Sequence, residues 1–311
     1  MENDVPRVTA DRAEETVDHR PSPRVSVVVP HYRDLENLEI CLQALERQTV
    51  PRSEIEVIVA DNNSPEGESA VAKVIAGRAR LVIVPEKGAG PARNGGVAQA
   101  RGEILAFTDS DCRPEPEWLA EGVEALKSHD FVGGRMTVLV DDPARMTPVE
   151  AFESVFAFNN QAYVTRRRFS VSANLFCSRA LFAEVGGFLA GHVSEDQEWC
   201  LRARDLGYRI GYAPASVVGH PARKTWPDLL RKWRRVNSER YGLMTRSGRG
   251  RWRWLILTCA LPASAFVHTH KALLSKKLGG LGQRLAAVGV LHKLRWWRLG
   301  DSLRLLRDKD R

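Results

Sequence analysis

The first 130 residues alternate between short apolar runs and segments with helical periodicity. The apolar runs are rich in Val and Ile and cover residues 24–30, 56–61, 80–84 and 103–109. Continuous runs of β-branched residues are typical of parallel strands that are covered on both faces. Leucine spacings of 3, 4 and 3 from Leu35 to Leu45 predict a helix, and further helices are predicted over residues 66–77, 91–101 and 118–126. This alternation predicts a doubly wound α/β fold, with a mostly parallel sheet flanked by helices.

The regular alternation ends near Phe131, where a mixed segment begins. Its predicted elements are an aromatic helix (Phe152–Tyr163), a strand (Phe169–Phe176) and a second helix (Glu195–Leu206). No Gly- or Pro-rich linker separates this segment from the first one. We therefore predict one continuous domain over residues 23–221.

The C-terminal part of the chain is basic, whereas the rest is acidic. Residues 221–311 carry 22 Lys and Arg against 5 Asp and Glu, and residues 1–220 carry 24 against 33. The apolar stretch at residues 254–267 contains a proline and has only 14 residues, fewer than the roughly 20 that span a membrane. A basic amphipathic stretch with Trp and Leu follows. We predict a basic helical tail over residues 222–311 that binds an anionic membrane surface; the alternative is a helical subdomain packed on the core.

Composition excludes several classes of protein. The chain is 43% hydrophobic and 27% charged, which does not fit a disordered, collagen-like or polytopic membrane protein. Its five cysteines are scattered and form no C-x-x-C pair, so neither a disulfide framework nor a structural zinc site is expected, and a reducing compartment is favoured. Residues 1–22 are polar and lack the apolar core of a secretory signal, so we predict a disordered leader there.

An Asp-Ser-Asp motif follows the fourth predicted strand, at Asp109, Ser110 and Asp111. Ligands of doubly wound sheets bind at the carboxyl ends of the strands, where this motif lies. Two carboxylates one residue apart can hold one divalent cation, and Mg²⁺ or Mn²⁺ prefers such oxygen ligands. A solvated turn is the alternative explanation for an isolated motif of this kind.

Three other segments contain candidate functional residues. The glycine-rich segment Gly88–Gly96 allows a ligand to approach the backbone, and its Arg93 can pair with a phosphate or with one of the aspartates; the alternative is a flexible loop before a helix. Glu195 and Asp196 begin a predicted helix, where acidic residues either stabilise the helix dipole or act as a general base. His220 is a lone histidine, for which a core or capping role is the alternative to a ligand role.

Taken together, the motifs resemble those of the family 2 glycosyltransferases, which are inverting enzymes with the GT-A fold. The resemblance covers roughly residues 24–240. The matching segments, which occur in family order, are Val25–Tyr32, Val57–Ser64, Gly88–Gly96, Asp109–Asp111, Asn174–Phe176, Gly186–Phe188 and Ser194–Asp196 with Arg202. The resemblance implies a GT-A catalytic domain over residues 23–221.

The resemblance also implies a role for each site residue. Donor-binding residues would be Pro30, Tyr32, Asp61, Arg93, Asp109 and Ser110, with the first three at the nucleotide base and ribose. Asp111 would be the main ligand of Mg²⁺ or Mn²⁺, with Asp109 and His220 as further ligands. Asp196 would be the catalytic base, and Glu195 and Asn174 would lie on the acceptor side.

The implied activity is metal-dependent, inverting transfer of a sugar from a nucleoside-diphosphate donor to a hydroxyl acceptor. A lipid-linked or polysaccharide acceptor is expected, no nucleic-acid partner is expected, and the expected location is the inner face of the cell membrane, on the cytoplasmic side. Two alternatives stay open. A sugar-phosphate nucleotidyltransferase would need a glycine-rich loop after the first strand, which is absent here. A non-catalytic module that binds lipid or nucleic acid would explain the charge distribution but not the polar strand ends.

Overall fold

The computed structural model describes residues 23–191, 194–245 and 250–307. The predicted disordered leader at residues 1–22 lies outside the described residues. Within them, the strands are β1 (Val25–His31), β2 (Ile55–Asp61), β3 (Arg80–Ile83), β4 (Ile104–Phe107), β5 (Arg113–Pro114), β6 (Phe131–Leu139), β7 (Leu175–Ser178) and β8 (Ile210–Pro221). The helices of the first half are α1 (Leu35–Glu46), α2 (Glu68–Ile75), α3 (Ala89–Ala98) and α4 (Trp118–Leu126). Those of the second half are α5 (Pro148–Phe156), α6 (Asn160–Arg167), α7 (Arg179–Val185), α8 (Glu195–Asp205), α9 (Trp226–Thr245), α10 (Gly250–Cys259), α11 (Leu261–Leu273) and α12 (Leu281–Arg307).

All eight strands form one sheet in the order β3-β2-β1-β4-β7-β6-β8-β5. The first four strands pair in parallel, and both β1 and β2 are buried along their whole length. β7 runs antiparallel to its neighbours β4 and β6, whereas β6 and β8 are parallel. The predicted α/β fold with a helical C-terminal extension is confirmed, and the carboxyl ends of β1, β2 and β4 meet at one edge.

The second half differs from the prediction in two elements. The predicted aromatic helix is two helices, α5 and α6, because Asn159 begins a new helix by accepting a hydrogen bond from the Ala162 amide at 3.2 Å. The predicted strand at residues 169–176 starts only at Leu175. The residues before Leu175 include a short 3-10 turn whose last residue, Asn174, is fully buried.

The C-terminal helices pack on the sheet domain through α5. One apolar cluster joins Val149 and Phe152 of α5 to Leu229 of α9 and to Leu291 and Leu294 of α12. Among the described helices, none combines the length and the hydropathy needed to cross a bilayer. Through this apolar cluster, helices α9 and α12 share buried contacts with α5.

A buried ion-pair network also joins α5 to α9. Glu153 is 1% exposed, and its carboxylate lies 2.9 Å from Lys232 Nζ and 3.2 Å from an Arg223 guanidinium nitrogen. Burial alone would raise the pKa of Glu153, but Lys232 and Arg223 outweigh it and hold that pKa below its ordinary value. The network fixes the start of α9 against the sheet domain.

We expect Glu153→Gln to lower the free energy of unfolding by about 3 kcal/mol, because it leaves Lys232 buried beside a neutral partner. Chemical denaturation measures this change. The matched control is Asp141→Asn, which removes the exposed pair that Asp141 forms with Lys224 at 2.7 Å and is expected to leave stability unchanged. Equal stability of the two variants would contradict a structural role for the buried network.

Candidate active site

One cavity lies at the carboxyl edge of the parallel strands, with a volume of about 890 Å³. That volume is typical of pockets for small ligands. Predicted site residues that line it are Pro30, Tyr32, Arg93, Asp109, Ser110, Asp111, Glu195, Asp196 and His220. Segments far apart in the sequence are thus brought together around one space.

Arg93 connects the two sides of this cavity. It is 2% exposed, and its guanidinium lies 2.5 Å from Asp109 Oδ1 and 2.9 Å from Glu195 Oε1. Burial alone would lower the pKa of Arg93, but Asp109 and Glu195 outweigh it and raise that pKa. Arg93 can approach the strand ends because Gly96 lets α3 pack closely on β1, where a Cβ would lie 2.6 Å from Val28 Cγ1. The motif after β4 and the start of α8 are therefore held by one buried cation.

Asp111 faces His220 across the cavity wall, with 3.4 Å between Asp111 Oδ2 and His220 Nε2. The two residues are neighbours because β5 pairs with β8, which aligns Arg113 with Gly219. His220 Nδ1 lies 2.7 Å from the Pro221 carbonyl oxygen and donates to it, so the neutral ring has a lone pair on Nε2. A lone pair that faces a carboxylate oxygen at this distance is a suitable place for a cation.

The ligand types at this position fit Mg²⁺ or Mn²⁺. Ligand atoms of Asp109, Asp111 and Cys112 lie within 4.8 Å of one another. The Cys112 thiol stays protonated, because burial and then Asp111 and Asp109 raise its pKa well above the ordinary value. Carboxylate oxygens and the His220 nitrogen therefore remain as the groups that could hold a cation, and such a set suits Mg²⁺ or Mn²⁺.

Asp196 is the second residue of α8 and follows Glu195, which Arg93 joins to Asp109. Its Oδ1 accepts hydrogen bonds from Ser194 Oγ at 2.9 Å and from the Gln197 amide at 2.7 Å. Burial, and then the neighbouring Glu195, raise the pKa of Asp196 to about 6. The carboxylate is thus charged at neutral pH and more basic than an ordinary aspartate, which suits proton abstraction.

Two predicted site residues lie behind the cavity wall. Asp61 is 1% exposed: it accepts from His31 Nδ1 at 2.7 Å and from both the amide and the hydroxyl of Ser64, at 2.9 and 2.6 Å. Asn174 is fully buried, accepts from Trp118 Nε1 at 3.0 Å, and donates to two backbone carbonyls at 3.1 Å. In this structure Asp61 therefore shapes the turn after β2, and Asn174 supports the strands beside the site.

Helix α9 forms a wall of the cavity, which the sequence analysis did not anticipate. Its lining residues are Lys232, Trp233, Arg235, Val236, Glu239 and Arg240. Most of these recur at spacings of 3, 1, 3 and 1, which place them on one helix face; this periodicity was the available signal. Burial above all, opposed by Arg235 and reinforced by Glu195 and Asp196, raises the pKa of Glu239 to about 7. The basic tail therefore contributes charged groups to the site.

Comparison with known proteins identifies the family. Residues 26–185 match the family model described as "Glycosyl transferase family 2". Glycosyltransferase AglE from Haloferax volcanii is 35% identical over 221 residues, which cover 69% of this chain and 72% of AglE. The probable glycosyltransferase YdaM from Bacillus subtilis is 24% identical over 233 residues, and the chain spans about half of it, 55%.

Solved structures show the same fold at low sequence identity. Mannosyltransferase PcManGT from Pyrobaculum calidifontis, described in complex with GDP-Man and Mn²⁺, has a TM-score of 0.60 at 22% identity, over 93% of this chain and 89% of that one. S. aureus TarS 1-349 in complex with UDP-GlcNAc has a TM-score of 0.50 at 21% identity, over 91% and 89%. The family match and the similarity to AglE establish that the chain belongs to glycosyl transferase family 2 and is a glycosyltransferase, and the solved structures show that it has the GT-A fold.

Proposed function

We propose that this enzyme is a metal-dependent, inverting glycosyltransferase that moves a sugar from a nucleoside-diphosphate donor to a hydroxyl acceptor. One observation carries the proposal: Asp111 with His220 and the basic carboxylate of Asp196 line the same cavity. When a hydroxyl displaces a diphosphate, a cation can stabilise the leaving diphosphate and a base can take the proton of the hydroxyl. The cavity offers a candidate for each of these two groups.

The donor diphosphate is placed at the Asp111 end. Asp111 and His220, with Asp109, would hold Mg²⁺ or Mn²⁺, which when bound supplies positive charge against the diphosphate oxygens. Arg223 and Lys232 also line this end of the cavity, and Phe158 contacts both His220 and Lys232, with centroid distances of 5.2 and 5.3 Å. The nucleotide sugars bound in the structures of PcManGT and TarS, GDP-Man and UDP-GlcNAc, support this class of donor.

Asp196 is assigned as the base. It accepts the proton of the acceptor hydroxyl, and the oxygen attacks the anomeric carbon on the face opposite the diphosphate. The bond between that carbon and the diphosphate oxygen breaks, and its electron pair leaves on the diphosphate. The configuration at the anomeric carbon is inverted, and the proton remains on Asp196 until it passes to water.

A donor screen tests the reaction class. The full chain is incubated with Mn²⁺ or Mg²⁺ and a panel of nucleotide sugars, and released nucleoside diphosphate is measured. We expect turnover with one donor, loss of at least about tenfold on chelation, and recovery with added Mn²⁺. Turnover that survives complete chelation would contradict the metal assignment, and product with retained anomeric configuration would contradict inversion.

We also propose that the C-terminal helices bind an anionic membrane surface. Of the twelve large apolar residues that are exposed in the described part of the chain, nine lie between Trp252 and Trp296. This segment is also basic, and such a combination is typical of proteins that lie on the bilayer interface at its cytoplasmic face.

Vesicle flotation tests the membrane proposal. We expect the wild-type chain to float with phosphatidylglycerol vesicles, and the double variant Trp252→Ser with Phe266→Ser to lose at least half of that binding, because both side chains are 70% exposed or more. The matched control is Leu206→Ser, which is 56% exposed outside this segment and is expected to float normally. Equal flotation of all three, or retention on DNA at physiological salt instead, would contradict the proposal.

A further inference from the structure

Two arginines at one end of the cavity have no acidic partner among the residues that the structure describes. The other arginines that line the cavity are paired: Arg93 with Asp109, Arg223 with Glu153 and Arg235 with Glu239. Arg167 and Arg240 also line it, but within the described residues neither has a carboxylate at ion-pair distance. Arg167 instead lies against the Tyr163 ring, 5.7 Å from its centroid.

Further positive charge lies behind these two residues, on α12. Burial and then Arg167 lower the pKa of Arg240. Burial and then Arg240 lower that of Arg295, whose Nε is buried without a hydrogen-bond partner among the described residues. Arg298 is 4% exposed, and burial, then Arg295 and Arg240, lower its pKa well below the ordinary value. We call Arg167, Arg240, Arg295 and Arg298 the arginine cluster.

The fold compensates this charge only in part. Arg298 lies 4.0 Å from the Trp233 ring centroid and donates to Asn237 Oδ1 at 3.0 Å. Asp301 attracts Arg298 but is itself paired with Arg304 at 3.0 Å. Trp233, which lines the cavity, has a buried Nε1 with no partner in the described part of the chain. Buried positive charge without counter-charge is costly, and an anion in the cavity would offset that cost.

The arginine cluster lies away from the donor end. Lys232 lies beside Phe158 and the cation site, and Arg240 follows it eight residues later on α9, roughly 12 Å along the helix. Between them, Glu239 lies close enough to Asp196 for their charges to interact. The base and the arginine cluster therefore both lie near the Glu239–Arg240 end of the cavity wall, away from the cation site, so an anion at the cluster belongs to the acceptor.

We propose that Arg167 and Arg240 bind a phosphate group of the acceptor, whose hydroxyl then reaches Asp196. Guanidinium groups match phosphate oxygens with pairs of hydrogen bonds. A dianionic phosphate is favoured over a carboxylate because the cluster has four positive groups. This assignment rests on the proposed function, since it names the class of acceptor for the same site. The phosphate can belong to a lipid or to a water-soluble sugar phosphate.

Calorimetric titration of the full chain with farnesyl phosphate, farnesol and glucose 1-phosphate tests the proposal. We expect farnesyl phosphate to bind at least about tenfold more tightly than farnesol. The double variant Arg167→Gln with Arg240→Gln should bind farnesyl phosphate about 10- to 100-fold more weakly than the wild type, as expected for the loss of charge-assisted hydrogen bonds, and should therefore no longer distinguish it from farnesol. Binding of glucose 1-phosphate as well would identify the phosphate alone as sufficient, and binding of farnesyl phosphate only would identify a lipid phosphate; both support the proposal.

The control is Arg231→Gln, because the Arg231 side chain is also on α9 but is 76% exposed and pairs with Asp228 outside the cavity. This variant should prefer farnesyl phosphate over farnesol by the same factor as the wild type. Arg240→Lys, which keeps the charge, should retain part of the discrimination. Thermal unfolding shows whether the double variant is folded, and we expect no loss of stability because like-charge repulsion is relieved.

Two results would overturn the proposal. One is equal binding of farnesyl phosphate and farnesol by the wild type. The other is a fold-increase of the donor KM in the double variant that is larger than the fold-loss of its affinity for farnesyl phosphate. That result would assign the two arginines to the donor. Absence of donor turnover in the wild type, with phosphate discrimination intact, would contradict the proposed function and leave the anion site standing.

Discussion

We expect Asp196→Asn to lower the rate of sugar transfer by about 10²- to 10⁴-fold, the contribution of a positioned general base. Asparagine has nearly the same shape, and its Oδ1 can still accept from Ser194 and Gln197, so the start of α8 should stay folded. The measurement is kcat at saturating donor and acceptor. A near-normal kcat in the purified variant would remove Asp196 from the role of base.

The pH profile provides a second test of the same residue. Because the pKa of Asp196 is raised to about 6, the active carboxylate form increases as pH rises through 6, and the wild-type rate should rise with it. The charged groups around Asp196 are Glu195 on the same helix, Arg93 on α3 and Glu239 on α9. Because asparagine does not titrate in this range, the residual transfer rate of Asp196→Asn should not increase as the pH is raised through 6.

The control for this variant is Asp205→Asn. Asp205 ends the same helix, and its side chain is 66% exposed and pairs with Arg204. We expect an unchanged rate and an unchanged pH profile. A comparable loss in this control would show that any change of charge on α8 slows the enzyme, and the base assignment would no longer follow.

We expect Asp111→Asn to lower transfer by about 10³-fold, since a cation at the diphosphate contributes several kcal/mol to the displacement. The substitution removes the carboxylate that faces His220 Nε2 at 3.4 Å. The variant should also bind Mn²⁺ at least about tenfold more weakly in a spectroscopic titration, and this readout does not depend on turnover. Unchanged Mn²⁺ affinity together with lost activity would assign Asp111 to the sugar or nucleotide instead.

Much of the sheet could be predicted from sequence because its signals are local. β1 and β2 are buried along their whole length, and such strands appear as continuous apolar runs. The helix predicted from the leucine spacing begins at Leu35, where Asp34 caps it. The break between α5 and α6 and the short β7 depend on single capping and turn contacts, to which apolar periodicity is insensitive.

The site was predictable to the extent that it lies at strand ends. Asp109 and Asp111 follow β4 directly, so their place at the sheet edge follows from the strand alone. His220 reaches Asp111 through the pairing of β5 with β8, which joins segments about a hundred residues apart and leaves no local pattern. Asp61 and Asn174 match family motifs, but a motif does not show whether a side chain faces the cavity or the interior.

The bridging position of Arg93 predicts a thermodynamic coupling between the two sides of the cavity. A single guanidinium neutralises Asp109 on one half and Glu195 on the other, so a substitution at either end changes how strongly the remaining carboxylate is held. In a double-mutant cycle, the losses from Asp109→Asn and Glu195→Gln should therefore fail to add. We therefore expect that a change of Asp109 or Glu195 made to accept a new substrate on one side of the cavity also alters the energetics of the other side.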